Sequence, residues 1–484
     1  MQRKFVASLI LLLAVNFLVK PLWIFAIDLQ VQNRLGAEAY GLYAALFSFS
    51  IVFNIILDLG LSHYSNRRVA QDAGQVREQF SSLLSLKLLL GGVYLVIALI
   101  AGIFLGYWHS AFGLLLLLVV NQFFSSATLF FRAHLAGLHL FKADALMSVL
   151  DKMLVILLCG AVLYIPSLKD KLSIELFAGL QTVSFFLAAT VGLGLVLRQG
   201  GALRLSGDFP YWWRQLSASF PYALLLLLMA LYTRIDSVML EQLRSSFQAG
   251  VYAQAYRLLD VINQPAYLFS VILLPMFART SRGATDLREL SRLAFSLILV
   301  FTLSVAMAGY GSADFLMDSL YTAQREVSSG VFKLLIFSSL GFGITYIYGT
   351  LLTAQGRMRQ LNATAVSGLL INVLLNLLLI PQYGAAGAAL ATVVTQSGTA
   401  LVQLALALRI NDMAYGTTFW WRVLGFGTSA LMTTWLGSQM SYLPGLSLFL
   451  ATGGAVVIWG WVWGLLPLQA GLRVVRERLR SGGD

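Results

Sequence analysis

The sequence has almost no cysteine and unusually little charge. A single cysteine, Cys159, excludes a disulfide framework and a cysteine-based metal site. Only 11% of the residues are charged and 58% are hydrophobic, whereas a soluble domain carries about 25% charged residues. A chain with so little charge cannot cover itself with a polar surface, so the composition predicts a membrane protein.

Motifs for catalysis, nucleotide binding and metal binding are also missing. The sequence contains no Walker lysine motif, and its four histidines do not form a metal-ligand set. No pair of acids and no serine–histidine arrangement is placed for catalysis. We therefore expect neither an enzyme nor a bound cofactor, and no ATP hydrolysis by this chain.

What the sequence does contain is a series of long apolar runs. A bilayer core of about 30 Å requires about 20 apolar residues per helix. We expect an all-α, polytopic membrane protein with about fourteen transmembrane helices and only short connections. The first apolar run follows Arg3 and Lys4 and has no small-residue cleavage site, which favours an uncleaved helix. The predicted helices are approximately 5–27, 38–61, 82–105, 111–131, 143–165, 173–197, 216–234, 249–277, 290–310, 331–354, 361–380, 386–408, 417–437 and 446–466.

Basic residues alternate between the two sides of this predicted topology. With the N-terminus inside, the inner segments hold 21 lysines and arginines and the outer segments hold 5. Such a bias predicts a multi-pass protein of the inner (plasma) membrane with both termini in the cytoplasm. The net charge of +12 is then explained by topology, and we expect no nucleic-acid partner.

Two short sequence matches indicate an internal repeat. Ile27-Asp28 is followed by Gly41-Leu42-Tyr43, and Ile235-Asp236 is followed by Gly250-Val251-Tyr252. We expect each Ile-Asp pair to end a helix and each glycine to open the next one. Six helices separate the copies, which predicts two parallel lobes related by a pseudo-twofold axis around a central cavity. Chance similarity at helix starts is the alternative. The predicted domains are an N-terminal six-helix lobe (1–207), a C-terminal six-helix lobe (208–410), and two additional helices with a basic cytoplasmic tail (411–484).

Three stretches of the chain resemble a known family. They are LGAEAYGLYAALFSFSIVFNIILDLGL (35–61), RIDSVMLEQLRSSFQAGVYAQAYRLLDV (234–261) and LLTAQGRMRQLNATAVSGLLINVLLNLLLIPQYGAAGAALATVVTQ (351–396). In this order they resemble the bacterial polysaccharide-export or O-antigen (Wzx-type) flippases. Those proteins belong to the multidrug/oligosaccharidyl-lipid/polysaccharide exporter superfamily.

The resemblance implies a function and a set of partners. The implied activity is movement of an undecaprenyl-diphosphate-linked oligosaccharide to the outer leaflet, for O-antigen, lipopolysaccharide or another surface polysaccharide. Implied partners are membrane lipids, a coupled proton or sodium ion, and the glycosyltransferases and polymerase of the same pathway. A cation-coupled multidrug exporter and a lipid II flippase are alternatives within the superfamily.

Charged and polar residues deep in apolar helices are the candidate site residues, because charge in a bilayer is costly. A diphosphate would be bound by cations and amides, and a coupling ion by carboxylates. An ion pair between Arg257 and Asp260, interhelical packing by the asparagines, and helix-end interactions of Arg234 and Asp58 are the structural alternatives. The substrate-binding candidates are Lys20, Arg234, Arg257, Lys152, Asn372 and Asn376, and the ion-coupling candidates are Asp260, Asp151 and Asp58.

Overall fold

The computed structural model describes residues 15–16, 18–59, 76–138, 140–199, 207–280, 284–439 and 445–466, and these residues are built from helices without strands. Eleven of the helical spans in this part of the chain are long and apolar enough to cross a membrane. Residues 5–14 of the first predicted helix and the basic C-terminal tail lie outside the described residues. The predicted all-α, multi-pass membrane fold is confirmed.

The described helices form two compact units, one ending at Gly250 and the other beginning at Val251. The first unit begins with a helical segment from Leu18 that passes through a π-helical turn at Trp23–Asp28. Its further helices are α1 (Leu29–Phe53), α2 (Ile55–Asp58), α3 (Val76–Phe104), α4 (Tyr107–Ser110), α5 (Phe112–Gly137), α6 (Phe141–Tyr164), α7 (Ile174–Arg198) and α8 (Phe209–Leu243), with a 3₁₀ turn at Lys169–Lys171.

The second unit contains most of α9 and all the helices that follow. They are α9 (Ser246–Thr280), α10 (Ala284–Gly311), α11 (Ala313–Leu320), α12 (Arg325–Leu335), α13 (Ser338–Ala354), α14 (Met358–Tyr383), α15 (Ala385–Ile410), α16 (Thr417–Ser438) and α17 (Gly445–Val462). The last two helices pack on α10, where the Val300 side chain occupies the space that a Cβ on Gly460 would need.

The helix count agrees with the sequence. The span Leu18–Asp58 bends at Gly36, whose φ of 77° and ψ of 172° interrupt the helical geometry. It therefore contains the first two predicted helices. Two further helices, α8 with 35 residues and α16 with 22 residues, occupy the positions of predicted spans. The described residues thus contain helices at all fourteen predicted positions.

The predicted ends of the first and seventh helices were wrong. The helix containing Asp28 continues to the bend at Gly36, and α8 continues past Asp236 to Leu243. Both aspartates are buried, with exposures of 0% and 2%. The Asp28 carboxylate accepts hydrogen bonds from the Tyr40 hydroxyl (2.8 Å) and the Gln32 amide (3.2 Å). Because these two hydrogen bonds satisfy the buried carboxylate, the helix can continue past Asp28.

Equivalent contacts in the two units support the repeat. On α1, the Tyr43 hydroxyl lies 3.0 Å from Oε1 of Gln181 on α7, 138 residues further along the chain. On α9, the Tyr252 hydroxyl lies 3.1 Å from Oγ1 of Thr392 on α15, 140 residues further along. Each repeat glycine is therefore followed, two residues later, by a tyrosine that binds the sixth helix of its own half. The lobe boundaries at 207 and 410 stay a prediction, since α8 packs along α1 within the first unit.

Candidate functional site

Two of the predicted substrate-binding residues lie in one charged cluster in the first unit. Lys20 is exposed and interacts electrostatically with Lys152, Asp151 and Arg132. Lys152 Nζ lies 3.2 Å from Oδ2 of Asp151, and both side chains are partly buried, at 29% and 21% exposure. Lys20 precedes the π-helical turn and Lys152 belongs to α6, so two distant parts of the chain supply the cluster.

Aromatic rings form one side of this cluster. Lys152 Nζ lies 4.8 Å from the ring centroid of Phe185 and 5.8 Å from that of Trp23. Trp23 stacks in turn on Phe177, with ring centroids 6.1 Å apart. A cation over aromatic faces is stabilised without being neutralised. Lys152 is therefore held in place by Asp151 and by the two aromatic rings.

A second ion pair, which sequence reasoning missed, belongs to the same region. Arg132 Nε on α5 lies 2.8 Å from Oδ1 of Asp144 on α6, at side-chain exposures of 23% and 17%. Arg132 lies just beyond the predicted helix 111–131, but α5 continues to Gly137 and includes it. A usable signal was the spacing of Asp144, Ser148 and Lys152, which puts all three on one face of a helix.

Asp58 lies away from this cluster in an ion pair of its own. Its Oδ1 is 3.4 Å from Nζ of Lys87, whose side chain is only 1% exposed. Lys87 also donates to the Leu57 carbonyl (2.8 Å) and to Oγ of Ser126 (2.6 Å). The buried amine thus connects the end of α2 to α3 and α5, which favours the helix-end interaction foreseen for Asp58.

Arg257 and Asp260 lie in the second unit on α9, and both are half-buried. On the same helix, Ala255 and Leu259 are fully buried. Asp260 interacts electrostatically with Tyr346 on α13. The remaining cation of the predicted site, Arg234, is half-buried on α8 in the first unit.

The two predicted asparagines are packed inside the second unit. Asn372 and Asn376 are 1% and 0% exposed, and Asn376 Nδ2 donates to Oδ1 of Asn372 at 3.1 Å. Such deep burial is typical of polar residues that stabilise helix packing. The described residues also hold no group of three or more His, Cys, Asp or Glu side chains that could bind a metal ion.

The chain matches a known protein family. The sequence profile described as polysaccharide biosynthesis protein matches residues 5–281, more than half of the chain. The chain belongs to this family. The chain is also similar to an uncharacterized membrane protein of Methanocaldococcus jannaschii, with 23% identity over 196 residues. The match covers 40% of this chain and 45% of the relative, so the chain matches less than half of that protein.

Solved structures show the same fold. The lipid II flippase MurJ, in an inward closed conformation, is similar over 96% of this chain and 100% of its own, with a TM-score of 0.73 and 14% identity. An inward-facing multidrug resistance MATE transporter of the MOP superfamily matches 83% of this chain and 98% of its own (TM-score 0.64, 15% identity). A MOP superfamily transporter from Pyrococcus furiosus, whose binding pocket is described as reversed in polarity, matches 84% and 94% (TM-score 0.59, 14% identity). This polysaccharide biosynthesis protein therefore has the MOP transporter fold.

Proposed function

We propose that this protein is a flippase for an undecaprenyl-diphosphate-linked oligosaccharide. It moves this lipid from the cytoplasmic to the outer leaflet of the plasma membrane by alternating access, for cell-surface polysaccharide biosynthesis. The observation that carries the proposal is the group of cations in the first unit, in which the Arg132–Asp144 and Lys152–Asp151 ion pairs lie on neighbouring helices near Lys20. Membership of the polysaccharide biosynthesis family supports a precursor of a polysaccharide as the substrate.

The cluster has more positive than negative charge. Three cations interact with two carboxylates, and each carboxylate has a cation as its partner: Asp144 pairs with Arg132, and Asp151 with Lys152. A diphosphate carries two or more negative charges and suits such a site, because guanidinium and ammonium groups form strong charge-assisted hydrogen bonds with phosphate oxygens. A cationic drug would be repelled, and this argues against the multidrug-exporter alternative.

A lipid II flippase is the second candidate, favoured by the structural similarity to MurJ. Both activities require a diphosphate site in an apolar protein, so the cationic cluster fits either one. Complementation separates them. Restored surface polysaccharide in a strain lacking its oligosaccharide flippase supports the proposal, whereas restored growth only in a strain depleted of its lipid II flippase supports the alternative.

The head-group site is tested by replacing single cations. In the proposal, Lys20 of the first unit and the half-buried Arg257 of the second each bind the diphosphate at a stage of transport. Lys20→Ala or Arg257→Ala should abolish export of lipid-linked oligosaccharide while protein level and membrane insertion stay normal, and Lys20→Glu should be worse because it repels the diphosphate. Arg325→Ala is the matched control, since Arg325 lies 3.8 Å from Asp318 in a well-exposed pair. If the double variant Arg257→Ala/Asp260→Ala restores export, Arg257 forms a structural ion pair with Asp260 and does not bind the diphosphate.

Energy coupling is part of the same proposal. Asp260 on the half-buried face of α9 is the candidate proton or sodium site, and Asp151 is the second. Transport in proteoliposomes should increase when a proton or sodium gradient is imposed, and Asp260→Asn should remove that increase. Transport that continues unchanged without any ion gradient or membrane potential would contradict ion coupling but leave the flippase activity intact.

A further inference from the structure

One face of α6 carries a row of polar residues that continues beyond the cationic cluster. We call Asp144, Ser148, Asp151 and Lys152 the α6 row. At about 100° per residue, these positions fall within about 100° of one another. From Asp144 to Asp151 the helix rises about 10 Å. The row therefore extends from the first turn of α6 to Lys152, about two turns further along the helix.

Each level of the α6 row has a polar partner from another helix. At the first level, Arg132 pairs with Asp144 at 2.8 Å. At the second, the Asn16 amide donates to Oγ of Ser148 at 2.8 Å. At the third, Lys20 interacts electrostatically with Lys152 and Asp151. Lys20 also interacts electrostatically with Arg132 of the first level. The Lys20 ammonium is therefore influenced by charged residues of both the first and the third level.

A row of charged and polar residues in an apolar membrane helix is energetically costly and usually marks a functional site. Each unpaired charge at the bilayer centre costs about 2.5–3.5 kcal/mol on insertion scales, and buried ion pairs contribute little net stability. Arg132 and Asp144 keep 23% and 17% exposure, so the pair is only partly buried. A pair that is partly exposed, and continuous with a second group of cations, has the arrangement of a binding path.

We propose that Arg132 is the first binding site for the diphosphate of the lipid substrate, and that the head group then passes along the α6 row to Lys20 and Lys152. This inference rests on the proposed flippase function. Asp144 holds the Arg132 guanidinium in place when no substrate is bound. The incoming diphosphate displaces the Asp144 carboxylate and binds the planar donors of the guanidinium. When the head group moves on, Asp144 pairs with Arg132 again, which prevents the diphosphate from remaining at the first site.

Binding of inorganic pyrophosphate to the purified full-length protein in nanodiscs tests this role. Arg132→Gln should weaken pyrophosphate binding about tenfold or more, the size expected for losing a hydrogen bond between charged groups. Asp144→Asn should bind pyrophosphate at least as tightly as the wild type, because it removes the competing carboxylate. The double variant Arg132→Gln/Asp144→Asn should bind as weakly as Arg132→Gln. Arg325→Gln is the matched control and should bind normally.

A purely structural ion pair gives the opposite pattern. Arg132→Gln and Asp144→Asn would then impair stability and binding equally, and the double variant would recover both, which overturns the inference. Normal pyrophosphate binding by Arg132→Gln, together with lost binding by Lys20→Ala, would reject the Arg132 site and leave the proposed function standing. Failure of the wild type to bind pyrophosphate and to export oligosaccharide would reject the proposed function itself.

Discussion

Gly41 and Gly250 meet where α1 and the first turn of α9 cross. A Cβ on Gly41 would lie 2.5 Å from the backbone nitrogen of Gly250 and 1.8 Å from the carbonyl oxygen of Ser246. A Cβ on Gly250 would lie 1.8 Å from the carbonyl oxygen of Ala37. The two glycines of the sequence repeat thus permit a backbone contact that no other residue allows, as small residues do at close helix crossings in membranes.

Replacing either glycine should destabilise the protein. Gly41→Ala or Gly250→Ala forces the two backbones apart, and we expect a loss of about 1–3 kcal/mol in the free energy of unfolding, typical of overpacking. Thermal unfolding of the purified protein in detergent measures the loss. Gly92→Ala on α3 is the matched control, because a Cβ there meets nothing within 4 Å. Equal unfolding temperatures for Gly41→Ala and the control would contradict the close contact.

Loss of the Asp58 charge should be more damaging than loss of both charges in its ion pair. Asp58→Asn leaves the nearly fully buried Lys87 ammonium without its carboxylate, and breaking a buried pair costs about 3–5 kcal/mol. The double variant Asp58→Asn/Lys87→Met removes the buried charge and should recover part of this stability. Unfolding in detergent provides the measurement. If Asp58 is instead an ion-coupling residue, Asp58→Asn would abolish gradient-driven transport with stability unchanged.

Asp314, between α10 and α12, should contribute to acid sensitivity. Burial alone would raise the pKa of its carboxyl, but hydrogen bonds from Lys333 (2.8 Å) and Ser329 outweigh it, so the pKa lies below the ordinary value. A lowered pKa stabilises the folded state above the unfolded-state value, and this contribution is lost as the pH falls through the folded-state pKa. The effect is small, since the side chain is 69% exposed. Unfolding temperatures measured from pH 6 to pH 3 should fall slightly less steeply for Asp314→Asn than for the wild type.

The bias of basic residues predicts a specific topology. Reporters fused after residue 484 should indicate a cytoplasmic C-terminus, and reporters inserted within 311–330 should indicate the outer side of the membrane. The reason is that lysine and arginine are retained on the cytoplasmic side during insertion. A C-terminus outside the membrane would overturn both the even helix count and the parallel repeat.

Helix positions followed from the sequence because hydrophobic length is a local property. Runs of apolar residues of membrane-spanning length gave fourteen positions, and the described residues are helical at each of them, including α8 and α16. Helix ends were less certain. The predicted ends at Asp28 and Asp236 were wrong because a carboxylate inside a helix is expensive only when it has no partner. The Asp28 partner Tyr40 lies on the far side of the bend at Gly36.

The sequence by itself determined that this chain is a multi-pass helical membrane protein and which of its helices carry charged residues. Only the tertiary structure decided which charges meet. Lys20 and Lys152 are 132 positions apart in the sequence but belong to one cluster, which also includes Arg132. Asp58 forms its ion pair with Lys87. The physical reason is that periodicity fixes the face on which a residue lies, whereas the partner of that face depends on how separate helices pack.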